Sequence, residues 1–136
     1  MDNESSIMES WGGPDCPIDT TLELISRKWV IAIIRDMFVG KKHFSEFKQN
    51  KPKLNNSVLS ETLKFMIEQG LIEKIIINDD TRSNTEYYLT DKAKKLNNII
   101  YEMVLYGLDV LSCCEDKPEI KKQMKKEYGE LLEISD

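Results

Sequence analysis

Six lysines fall within residues 41–65 (Lys41, Lys42, Lys48, Lys51, Lys53 and Lys64) against only Glu46 and Glu61, a local excess of +4 in a chain of formal net charge −5. Exposed charges more than about 10 Å apart are largely screened at ordinary salt, so a polyanion responds to this patch rather than to the total. Interleaved with the lysines are Asn55, Asn56, Ser57, Ser60 and Glu61, and farther on come Arg82 and Asn84. All are side chains able to meet base edges, grooves or phosphates. The chemistry implied is noncovalent recognition of double-stranded DNA. Lys41, Lys42 and Lys48 suit phosphate contacts, whereas Ser57, Ser60 and Lys64 suit base edges, and Glu61 would have to accept from a cytosine amino group. Arg82, beside Asp79 and Asp80, suits a narrow minor groove or a phosphate. The plainer alternative is a solvated helix face with ordinary surface cations.

Covalent chemistry is poorly provided for. His43 is the single histidine, and it has no neighbouring Cys-His spacing, so a surface or helix-capping role fits it better than catalysis or metal binding. The chain contains no GxSxG, no P-loop and no glycine-rich dinucleotide turn. The expectation is no enzyme activity, no cofactor and no metal. Cys16, Cys113 and Cys114 form an odd set without CxxC spacing, which favours reduced thiols in a cytoplasm over a disulfide framework. No stretch approaches the roughly 20 apolar residues that span a bilayer, and the N-terminus lacks a basic region followed by an apolar block. A cytoplasmic protein without a membrane partner is expected.

The elements that must position these residues are legible from periodicity and punctuation. Residues 1–15 read as a loose acidic arm. Pro17 to Ile25 suits a short helix with Cys16 at its cap, and Trp29, Val30, Ile33, Ile34, Met37 and Phe38 recur at helical spacing up to a stop at Gly40. Trp29 belongs to the core on this reading. Phe44 and Phe47 begin a helix that Pro52 limits to about two turns. A second helix from about Asn56 to Gln69, capped by Asn55 or Asn56 and ended by Gly70, turns Leu59, Leu63, Met66 and Ile67 inward and Ser57, Ser60, Glu61, Lys64 and Glu68 outward. Strands at Leu71–Ile77 and Thr85–Leu89 flank the polar tip NDDTRSN, giving a hairpin. Thr90 and Asp91 then cap one long helix to about Ser112. Its apolar stripe, which includes Leu96, Ile99, Ile100, Met103, Val104, Leu108 and Leu111, is too broad for so small a domain to cover, so part of it is read as a dimer interface. A last amphipathic helix spans Pro118 to Leu132. The fold class expected is mainly α with a small β-hairpin wing: a winged helix-turn-helix over residues 16–90 and a helical dimerisation region over 91–136.

The order of these elements and six local strings resemble the HxlR-type winged helix-turn-helix transcriptional regulators, small relatives of the MarR superfamily. The strings are CP at Cys16-Pro17, LELISRKW from Leu22, HFSEF from His43, LSETL from Leu59, QGLIEK from Gln69 and EYYLTDKAKKL from Glu86. The resemblance implies a homodimeric regulator, most simply a repressor, that grips a roughly palindromic operator. The chain departs from the family pattern at Ser26-Arg27, where two glycines are usual, and at Ala93. It departs again at Ser57, Thr62 and Asn84, where basic residues are common.

Because some members of the family act as thiol switches through a cysteine near the first helix, the resemblance also raises a redox role for Cys16. Its partner would be Cys113 or Cys114 across a dimer, and an intersubunit disulfide would rotate the winged domains. A helix N-terminus favours the thiolate, but Asp15 and Asp19 oppose it, and an incidental cysteine is the alternative. A small-molecule effector between the winged domain and the dimer helices is a further option. From a different class comes the reading of a protein-interaction module that keeps the scaffold with little DNA affinity.

Overall fold

The computed structural model describes residues 16–78 and 83–135. The expected arm at 1–15 and the hairpin tip with Asp79, Asp80 and Arg82 lie outside the described residues. Helix α1 (Pro17–Ile25) carries Pro17 in its first turn, where a missing N–H costs nothing, and Asp19 near its positive end. Helix α2 (Val30–Val39) buries Val30, Ile33, Ile34 and Met37, a spacing that keeps one face inward, and stops at Gly40. The φ of 112° at Gly40 is one that side-chain-bearing residues rarely adopt.

Helix α3 (Phe44–Phe47) is a single turn, shorter than the two that Pro52 alone would allow. Its start is held by the Glu46 carboxylate, which accepts from the backbone N–H groups of Lys42 at 3.0 Å and His43 at 2.9 Å. Those two bonds hold the Glu46 carboxyl below its ordinary pKa. Helix α4 (Asn56–Glu68) is capped by the Asn55 side chain, which accepts from Val58 N at 2.8 Å, and the chain leaves it through Gly70 at φ 74°.

Strands β1 (Ile72–Asn78) and β2 (Ser83–Leu89) pair antiparallel, with Ile72 opposite Leu89 and Asn78 opposite Ser83. The hairpin is tied to the helices at its base. Tyr87 N donates to Lys42 O at 2.8 Å, and Thr90 N donates to Leu71 O at 3.0 Å. Phe47 packs edge-on to Tyr87 with ring centroids 5.9 Å apart, joining α3 to the wing.

Beyond the wing the structure corrects one expectation. The single long helix from Asp91 is two: α5 (Asp91–Lys94), capped by Thr90, and α6 (Asn97–Asp109). Ala93 and Leu96 are both buried, and Leu96 N bonds to Ala93 O three residues back. That three-residue bond closes the turn at Lys95–Leu96 between the two helices. Helix α7 (Pro118–Leu131) packs back on α6. Asn97 Nδ2 donates to Leu132 O at 2.8 Å, and Asp109 pairs with Lys125 at 2.9 Å, which lowers the Asp109 pKa.

The core runs through all these helices and the hairpin base, with Phe47, Ile33, Ile34, Leu59, Met66, Leu71, Ile72 and Leu132 fully enclosed. Trp29 is half-buried against it, in line with its core assignment. One inward–outward assignment on α4, that of Ile67, is reversed, and Thr62, a departure from the family pattern, faces the core. Ile67 is exposed, and Thr62 is buried with its hydroxyl donating to Val58 O at 2.8 Å. Thr62 therefore does not stand in a base-reading position. Arg27, at one departure from the family pattern, stacks 3.8 Å above the Phe65 ring and so clamps the α1–α2 turn to α4.

Candidate nucleic-acid interface

Helix α4 presents Asn56, Ser57, Ser60, Glu61 and Lys64 along one exposed face, with spacings of three and four residues between Ser57, Ser60, Glu61 and Lys64. Its N-terminal amides lie at the same end, where partial positive charge favours an anion such as phosphate. Lys48, from the end of α3, donates to the Asn56 side chain. This brings a cation to the entrance of the helix. Asn55 caps the helix through its side-chain oxygen, which accepts from Val58 N and fixes the side chain at the helix start. Lys53 is exposed in the turn leading into α4.

Lys41 and Lys42 are placed differently. Lys41 Nζ lies 3.9 Å from Asp36 Oδ1 and Lys42 Nζ lies 3.6 Å from Glu86 Oε2, both at the junction between α2 and the wing. Glu86 also accepts from the Tyr88 hydroxyl, the main cause of its lowered pKa, with Lys42 and His43 adding to it. The same bond raises the pKa of Tyr88. His43 Nδ1 sits 3.2 Å from Thr85 O, and a carbonyl can only accept, so His43 bridges the start of α3 to β2. His43 itself stands at the N-cap position of α3. Asn84 is exposed near the outer end of β2.

The +4 excess read from the sequence shrinks on folding. Lys51 is buried against Asp36, itself only 2% exposed, and Arg35 adds a second bond to that carboxylate at 2.8 Å. The pKa of Arg35 is raised: burial opposes the charge, but bonds to Asp36 and Tyr128 outweigh it. The buried Asp36–Lys51 pair escaped sequence reading, although an acid set among Ile33, Ile34 and Met37 was a visible signal of one. Surface attraction therefore rests on Lys48, Lys53 and Lys64, with Lys41 and Lys42 partly neutralised by acids.

No group of three or more metal-ligating side chains occurs among the described residues. Cys16 is half-buried at the start of α1, Cys113 is exposed and Cys114 half-buried after α6, and all three are free thiols. Among the described residues no helix is long and apolar enough to cross a membrane.

A helix pair whose second member offers an uncovered polar face, followed by a hairpin docked at its base, defines a winged helix-turn-helix protein. Residues 24–113 match the model of the HxlR-like helix-turn-helix family, and the chain belongs to that family of DNA-binding transcriptional regulators, which are not enzymes. It is 35% identical over 89 residues to the HTH-type transcriptional regulator YvaP of Bacillus subtilis, covering 65% of this chain and 82% of YvaP. Among solved structures it resembles the redox regulator HypR in its reduced form, with a TM-score of 0.65 and 28% identity over 71% of this chain and 98% of HypR. The reduced form of the transcriptional regulator YodB of B. subtilis gives a TM-score of 0.60 at 26% identity over 68% of this chain and 90% of YodB.

Proposed function

We propose that the protein acts in the cytoplasm as a homodimeric repressor of a roughly palindromic operator, with residues 16–90 as the DNA-binding unit and 91–136 as the dimerising region. The exposed polar row Ser57, Ser60, Glu61 and Lys64 on α4 carries this reading, since the opposite side of the same helix is sealed in the core. Ser57, Ser60 and Lys64 meet base edges. Asn56, Lys48, Lys41, Lys42 and the wing residues Arg82 and Asn84 hold the backbone, and Asn55 sets the helix start.

Binding to the protein's own upstream region, measured at several salt concentrations, tests this. A tight complex whose affinity falls steeply with salt is expected. Lys64→Ala should weaken it about tenfold or more without changing the oligomeric state, and Arg82→Ala should lower the salt slope by about 1. Absence of binding even at low salt would instead favour the interaction-module reading.

A second reading, control by thiol oxidation, has its own support. Cys16 lies two residues before the exposed Ile18 of α1, and Cys113 two residues after the exposed Leu111 beyond α6, so both thiols flank the apolar surface that a dimer would cover. HypR, whose fold this chain shares, is a redox regulator. Mild oxidant should convert the protein to a covalent dimer on a non-reducing gel and alter operator affinity. A Cys16→Ser protein that responds in the same way would dispose of this mechanism.

A further inference from the structure

Helix α7 lies beyond the residues that match the family, and with α2 it forms an open pocket of about 660 Å³. That volume lies in the range of small-molecule sites. One end is charged and the rest is apolar. At the charged end the Asp36 carboxylate serves three cations at once: Lys51 on one oxygen, and Arg35 at 2.8 Å and Lys41 at 3.9 Å on the other. A single carboxylate cannot neutralise three cations. Lys51 is enclosed, but Arg35 and Lys41 both line the cavity and keep part of their side chains accessible, 40% and 21%. Glu127 at the cavity wall offsets one charge, and one positive charge remains in excess. The apolar walls come from Val39 on α2 and from Ile120, Met124 and Leu131 on α7.

We propose that this cavity is a binding site for a small organic monocarboxylate with an apolar body. The carboxylate sits on the Arg35 guanidinium and the Lys41 ammonium, and the body lies between Val39 and Met124. A single excess charge matches a carboxylate better than a phosphate dianion, and the walls demand a hydrocarbon portion that inorganic anions lack. Bound carboxylate and Asp36 would share one guanidinium. Asp36 also holds Lys51 in the turn before α4, so occupancy reaches the recognition helix through two ion pairs.

Calorimetric titration of the full chain with 4-phenylbutyrate, and with its neutral amide as control, tests the site without DNA. Failure here is thus separate from failure of the operator reading. Binding of the carboxylate with a Kd of about 1 mM or tighter is expected, with the amide at least about tenfold weaker. Arg35→Met should weaken carboxylate binding about tenfold. Met124→Trp, a change at a partly exposed residue that fills the cavity while leaving the ion pairs intact, should abolish it. Equal binding of acid and amide, wild-type binding by Met124→Trp, or no binding of the acid would each overturn the proposal.

Discussion

Asp36→Ala is expected to cost about 3–5 kcal/mol of folding stability, read as a lowered midpoint in urea unfolding with an unchanged slope. The size follows from what the substitution strands. Lys51 is 7% exposed, and its ammonium has Asp36 as its charged partner. Removing the carboxylate leaves a buried cation unpaired, and two more cations, Arg35 and Lys41, lose a shared counter-charge. The converse change is gentler. Lys51→Met leaves Asp36 with Arg35 at 2.8 Å, so a loss of about 1–3 kcal/mol is expected. The double variant Asp36→Leu, Lys51→Met should recover most of the stability, because well-packed apolar residues often replace a buried ion pair at little cost. If Asp36→Ala costs less than about 1 kcal/mol, water reaches the pair and its anchoring role fails.

The consequence reaches function because Lys51 sits in the turn that leads into α4. Lys51 N bonds to Lys48 O at 3.2 Å and Leu54 N to Lys51 O at 3.0 Å, so the ion pair fixes that turn to α2. The orientation of the recognition helix depends on a contact between residues fifteen apart.

That separation explains what was legible in the sequence. Asn55, Thr90, Gly40 and Gly70 announce helix ends through chemistry completed within a few residues, and each acts where its type implied. The inward row of α2 and the two strands were equally readable from local spacing. The neutralisation of Lys51, the acid contacts of Lys41 and Lys42, and the docking of β2 on Lys42 O depend on which elements meet, and no local pattern encodes that. The break at Lys95–Leu96 belongs to the same group. Its sequence is compatible with a continuous helix, and burial of Ala93, Leu96 and Ile100 at i, i+3 and i+7 would suit one equally well, so no local pattern marks the break. Ile67 failed for a subtler reason: four apolar residues on α4 suggested a broad stripe, but the core accepts Leu59, Leu63 and Met66 and leaves Ile67 at the rim.

Met103→Glu is expected to convert the protein to a monomer and to lower operator affinity about 10²–10⁴-fold while leaving the winged domain folded. Met103 stands at the middle of an exposed apolar row on α6 with Ile99, Tyr106 and Val110, and Leu111 continues it. A groove lined by Ile99, Met103, Tyr106 and Leu111 marks the row, and a second cavity, between Leu24 and Ile99, shows that α1 lies alongside. From α1 come Ile18 and Leu22, 69% and 49% exposed. A patch of this extent, contributed by two adjacent helices, is more than scattered surface apolar residues require, and it fits a self-complementary contact between two copies. In a two-fold contact the new glutamate enters twice. Each subunit would then lose an apolar contact and bury a second carboxylate beside Glu102 in a mainly apolar contact.

The effect on DNA follows from geometry rather than from any contact of Met103 with it. Two recognition helices held about one helical turn of DNA apart make the second half-site contact intramolecular, and a monomer forfeits that effective concentration. Met103→Ala, which removes contact without adding charge, should retain dimers at higher protein concentration. Sedimentation and operator titration together decide the matter. A wild-type chain that sediments as a monomer at about 10 µM would remove the two-fold contact altogether, and a Met103→Glu protein that remains dimeric would place it elsewhere.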